Sequence, residues 1–94
     1  MIYMVTYDLN TPGQKYEQVL AVLDFIAEGK SYSFWQSSYL IKTDLSSEQI
    51  LGKLQPYLDS NDKLLIIQVS DNYSAWLNDE QQDALRKIFR TPPV

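Results

Sequence analysis

The sequence predicts a two-layer α+β domain. Its expected order is strand, helix, strand or hairpin, helix, strand, and then an extra helix. Three observations carry this. The first ten residues, MIYMVTYDLN, are an apolar strand that stops at Tyr7-Asp8 with a helix start directly behind it. Two segments of helical period are each opened by capping residues, with a dense aromatic stretch between them. A continuous apolar run from Leu64 to Val69 has the length of one strand. A chain of 94 residues suits one domain with a single core. That core is expected over about residues 1–70, with an extension bearing a helix over 71–94.

Along residues 2–8, Tyr3, Val5 and Tyr7 point one way, and Ile2, Met4, Thr6 and Asp8 point the other. Both sets are largely apolar as far as Thr6, which predicts a central strand covered on both faces. Thr11 is the expected N-cap of the following helix, with Pro12 at its first position and Gln14 completing a capping box. The helix is expected to run to about Glu28. Its apolar stripe is Tyr16, Val19, Leu20, Val22, Leu23 and Ile26, and Gly29 is a natural stop.

Residues 31–43, SYSFWQSSYLIKT, are rich in strand-forming types. They form either one long strand or two short ones broken near Gln36-Ser37. Ser46 and Gln49 make a second capping box ahead of Ile50, Leu51, Leu54 and Leu58, and Pro56 is expected to distort the last turn. Asp59, Ser60, Asn61 and Asp62 are turn residues. The run from Leu64 to Val69 is expected to be a buried strand. Asn78 is placed to cap a third helix over about 79–90, with Ala84, Leu85, Ile88 and Phe89 on one side. Residues 91–94 are expected to fray.

Splitting 31–43 gives βαββαβ, the ferredoxin-like arrangement: an antiparallel sheet with two helices on one face. The other face would then expose Met4, Ile66 and residues of the 31–43 stretch. Either the third helix or a second copy of the chain is expected to cover it.

Composition excludes several kinds of chemistry. The chain has no cysteine and no histidine, so disulfides, thiolate or imidazole metal sites and histidine-based triads are ruled out. A metal would have to be a hard cation such as Mg²⁺, held by carboxylates, carbonyls and water. The net charge of −4 argues against broad binding of a phosphate backbone. Arg86, Lys87 and Arg90 gather near the chain end, where they suit the dipole of a helix C-terminus and offer one local basic patch. No apolar run approaches the ~20 residues of a membrane span. No signal peptide is expected, and a cytoplasmic location fits the lack of cysteine.

Asp8 is the candidate site residue. It ends the first strand just before a helix start, where a carboxylate can hold a hard cation or activate water. Its plain alternative is a turn residue. Asp71 follows the last strand, and antiparallel first and last strands put it at the opposite edge from Asp8. The partner expected for Asp8 is therefore Asp8 of a second subunit across a two-fold axis. Ser37 and Ser38 have no base beside them. Tyr3, Tyr7, Phe34, Trp35 and Tyr39 are aromatic candidates for stacking on bases, although core or dimer packing is the simpler use.

Tyr7-Asp8-Leu9 and Gln36-Ser37-Ser38-Tyr39, set in this order of elements, resemble the small CRISPR-associated ferredoxin-like proteins that partner the CRISPR integrase. The chain is also similar to their stand-alone relatives, the VapD-like toxins and the "SinR family" proteins. The resemblance covers about residues 1–70. It implies a homodimer with facing sheets, in which paired Asp8 carboxylates bind Mg²⁺ and RNA or DNA is cleaved. Three departures stand against activity, one being that a third helix takes the place of the family's usual short closing strand. Lys15 is the only basic residue soon after Tyr-Asp, and the chain is acidic overall. A non-catalytic dimeric interaction or regulatory module of the same fold is the alternative. A nucleic-acid-binding subunit using Arg86, Lys87 and Arg90 is a third reading.

Overall fold

A computed structural model describes residues 1–10, 14–35 and 37–90. The cap expected from Thr11, Pro12 and the Gln14 side chain falls outside the described residues. So do Gln36 and the chain end at 91–94. The order of elements is β1 (Ile2–Asp8), α1 (Gln14–Ala27), β2 (Ser31–Trp35), β3 (Ser38–Lys42), α2 (Ser47–Leu54), β4 (Lys63–Val69) and α3 (Asp79–Arg90). Residues 31–43 are thus two strands. The four strands form one antiparallel sheet in the order β2-β3-β1-β4. With α1 and α2, this is the ferredoxin-like βαββαβ arrangement, followed by a C-terminal helix.

Register fixes two faces. Tyr3, Val5 and Tyr7 of β1 point to one side and are buried. They pack with Ile41 and Tyr39 of β3, Val19, Leu23 and Ile26 of α1, and Ile50 and Leu54 of α2. Fully burying one such side chain contributes about 2 kcal/mol. The buried Tyr3 hydroxyl donates to the Leu45 carbonyl at 2.8 Å, so this core holds no orphaned polar group there. The Tyr39 hydroxyl donates to the Asp24 carboxylate, tying β3 to α1.

Each helix ends for a local reason. α1 stops at two successive left-handed residues, Glu28 (φ 50°) and Gly29 (φ 83°). Glycine adopts that conformation freely and glutamate does so at a cost. α2 opens with the expected capping box: Gln49 N donates to Ser46 Oγ, and Ser46 N donates to Gln49 Oε1. Pro56 lies in the 3₁₀ turn Gln55–Tyr57 that ends this segment.

The second face carries Ile2 and Met4 of β1, Leu40 of β3 and Phe34 of β2, with Ile88, Leu85 and Phe89 of α3 packed on them. The third helix therefore covers this face, but only in part. The expectation of a buried last strand is corrected here. β4 is an edge strand with alternating exposure. Leu64 and Ile66 pack on the α1–α2 core, whereas Leu65 and Ile67 are 53% and 48% exposed. Leu65 and Ile67 pair with Thr6 and Met4, so they lie on the α3 face, beyond the reach of that helix. Ile66, expected on this open face, faces the other core. Apolar content alone did not reveal that the strand has only one neighbour.

Candidate functional site

Asp8 stands at the end of central strand β1 and is exposed. The alternation that sends Tyr7 inward sends Asp8 outward, onto the face that carries α3. Tyr7 is a core residue, tilted against Tyr16 with ring centroids 5.7 Å apart. Burial, then the neighbouring Tyr39 and Tyr16, push its phenol above the ordinary range. In the Tyr-Asp pair the tyrosine anchors the strand and the aspartate is presented.

The backbone around Asp8 is firmly held. Tyr7 N donates to the carbonyl of Ser37 at 3.0 Å, and Ser37 is itself left-handed, with φ 71°. Ser38 Oγ lies 3.5 Å from Thr6 Oγ1. The two short motifs of the sequence are thus neighbours in space, at one end of the sheet. Leu9 N donates to the Tyr16 hydroxyl at 3.3 Å. Asn10 N donates to Asp62 Oδ1 at 2.7 Å.

That last bond belongs to a cluster that the sequence did not disclose. Lys15 Nζ lies 2.7 Å from both Asp59 Oδ2 and Asp62 Oδ2. Asp59 N also donates to Asp62 Oδ2, and Asn61 N donates to Asp59 Oδ1. The Asp62 side chain is only 1% exposed. The bond from Lys15, followed by those from the Asn10 and Asp59 amides, holds its carboxyl down at about 2. Lys15 is raised by its bonds to Asp59 and Asp62, and Asp59 is lowered chiefly by its bond from Lys15. The signal was present but indirect. A lysine in the first turn of a helix opposes the helix dipole and calls for an acidic neighbour. The antiparallel β1–β4 pair brings the 59–62 turn beside it.

Chemically, Asp8 is a lone carboxylate. Its cross-strand partner is Lys63. Among the described residues no hydrogen bond or ion pair engages the Asp8 side chain, and no group of three metal-ligating side chains exists. Asp71 lies past the other end of β4, beyond Val69, which pairs with Ile2. The described residues of one protomer therefore assemble no three-ligand metal site around Asp8.

The other candidates sort by burial. Tyr3, Tyr7 and Tyr39 are buried beneath α1 and α2, and Phe34 is buried beneath α3. Trp35 alone of the five is exposed, at 56%, so these aromatics do not form a stacking platform. Lys87 pairs with Asp83 at 3.1 Å, one turn back along α3. Lys87 and Arg90 lie in its last turn and Asp79 and Glu80 in its first, the arrangement that the helix dipole favours.

The fold has a known counterpart. The chain is similar to Cas2 of Streptococcus pyogenes, solved as a crystal structure at pH 6.5. The TM-score is 0.52 and the identity 18%, over 77% of this chain and 89% of that one. At this identity the likeness shows a shared Cas2-type ferredoxin-like fold. No family model matches the chain, and no curated protein does. No helix among the described residues is long and apolar enough to cross a membrane.

Proposed function

We propose that the chain acts as a two-fold homodimer built on the α3-bearing sheet face, and that it cleaves nucleic acid through Asp8. The observation that carries this reading is the placement of Asp8. It is an exposed carboxylate without a partner among the described residues, held at the end of the central strand of a Cas2-type fold. It shares its face with the exposed Leu65 and Ile67. A two-fold axis beside β1 brings two Asp8 side chains together. Mg²⁺ is commonly held by one or two carboxylates with waters and substrate phosphates, and the Asp8 pair would supply two. Bound there, the metal would supply a hydroxide for attack on a phosphodiester. The role of the protein is to fix the two carboxylates, and the Ser37 and Asp62 contacts keep the strand ends rigid for that purpose.

A manganese titration followed by electron paramagnetic resonance tests this reading. One ion per two chains, lost in Asp8→Asn, supports it. Binding that ignores Asp8→Asn defeats it.

Lys63 favours a second reading. Its ammonium sits on the same face as Asp8, across the strand pair. In a two-fold interface Asp8 of one copy can pair with Lys63 of the other. Asp8 would then be an interface residue of a non-catalytic module.

A further inference from the structure

Trp76 is 99% exposed. It belongs to the stretch between β4 and α3, in which Asp71 is the only charged residue between Val69 and Asn78. It also stands at the rim of an apolar groove of about 570 Å³. The groove floor is formed by Met4, Phe34, Leu40 and Val69, with Tyr73 and Phe89 on its wall. Tyr73 and Phe89 stack with centroids 5.2 Å apart, which holds that wall in place. Trp35 also lines the groove.

We infer that Trp76 of each protomer inserts into the groove of a second copy of this chain, so that an exchanged pair of indoles anchors the dimer. The inference rests on the homodimer reading above and adds the interlocking residue. Two observations select a second copy as the occupant. The first is symmetry: an isologous interface needs the protruding group and its receptor on one surface, and Trp76 and the groove share a surface. The second is area. Trp76, Trp35, Leu65, Ile67 and Tyr73 are 99%, 56%, 53%, 48% and 42% exposed. Together they offer on the order of 600 Å² of apolar surface, at the upper limit for an ordinary monomer and close to one side of a standard interface. A buried tryptophan in a pocket ringed by apolar contacts is the usual form of an interface anchor.

The test uses the full chain with Trp35→Phe, which leaves Trp76 as the one tryptophan. Light scattering and tryptophan emission are followed over a dilution series. The expected result is a dimer whose emission is blue-shifted, moving red as the dimer dissociates. In the otherwise native chain, Trp76→Ser should weaken the dimer by roughly thirtyfold or more while leaving the far-ultraviolet circular dichroism unchanged. The protomer itself does not bury this side chain, so folding is not at issue. A dimer with water-exposed Trp76, or one indifferent to Trp76→Ser, overturns the anchor and leaves the homodimer standing. A monomer at every concentration overturns both.

Discussion

Asp8 and Lys63 face each other across the β1–β4 ladder, on the sheet face that carries α3. Cross-strand partners place their Cβ atoms about 5 Å apart. An ammonium at that range repels a divalent cation bound by Asp8. Lys63→Gln is therefore expected to tighten manganese binding by roughly fivefold, a modest gain because solvent screens the pair. Calorimetry at low and high salt checks this, and the gain should shrink as salt rises. Unchanged affinity at both salts would mean that Lys63 does not act on Asp8.

The Lys15–Asp59–Asp62 cluster gives a second prediction, for acid stability. The Asp62 carboxyl falls from its ordinary 3.8 to about 2 on folding. A depressed carboxyl contributes stability that is complete above the unfolded value and is lost as pH falls through the folded value. The chain should thus lose melting temperature between about pH 4 and pH 2 through this residue. Asp62→Asn should lower the melting temperature at pH 7 and flatten that part of the acid limb. Lys15, whose value is raised, works at the other end of the scale. Its contribution is complete below 10.5 and declines only above that. A variant whose acid limb matches the native one would show that the cluster does not bind the folded state.

The hold on α3 is a third point of test. Asn78 and Gln81 cap each other: Gln81 N donates to Asn78 Oδ1 at 2.8 Å, and Asn78 N donates to Gln81 Oε1 at 3.3 Å. Gln81 Nε2 also donates to the Phe34 carbonyl at 3.0 Å, joining the helix start to β2. Asn78→Ala should cost about 1 kcal/mol. Gln81→Ala should cost more, since it removes the tether as well as the cap. Urea denaturation gives both numbers, and hydrogen exchange should show α3 amides opening first. Equal losses in the two variants would mean that the tether contributes nothing.

Adjacent residues of β4 should behave oppositely. Leu64 packs on the α1–α2 core and Leu65 is half exposed on the open face. Leu64→Lys should abolish cooperative unfolding. Leu65→Lys should fold normally and yield monomer in light scattering, because a two-fold contact sets the two new charges against each other. A dimer in Leu65→Lys would place the interface elsewhere.

Much of this architecture was legible in the residues. The alternation of β1, the capping box at Ser46 and Gln49, and Asn78 ahead of α3 are local patterns, and local patterns survive folding when packing agrees with them. Residues 31–43 remained open between one strand and two. Two strands form, and the left-handed Ser37 at the break is a conformation that no sequence period signals. The burial of β4 was misread, because burial depends on how many neighbours a strand has. The Lys15 cluster was missed because its members are 44 and 47 residues apart and meet only through the antiparallel pairing of β1 and β4. Asp8 was legible as a strand-end carboxylate, and its exposure came with the structure. Its neighbour Lys63 was not, since the pair exists only in the register.

The most direct test of the central claim is cleavage of nucleic acid by the purified protein. Single-stranded RNA and double-stranded DNA would each be incubated with Mg²⁺, Mn²⁺ or a chelator, beside Asp8→Asn. The account predicts metal-dependent cutting by the native chain that falls to background in Asp8→Asn, with the dimer intact by light scattering. Cutting no greater than that of Asp8→Asn, on both substrates and with both metals, would contradict it and leave Asp8 as an interface residue opposite Lys63.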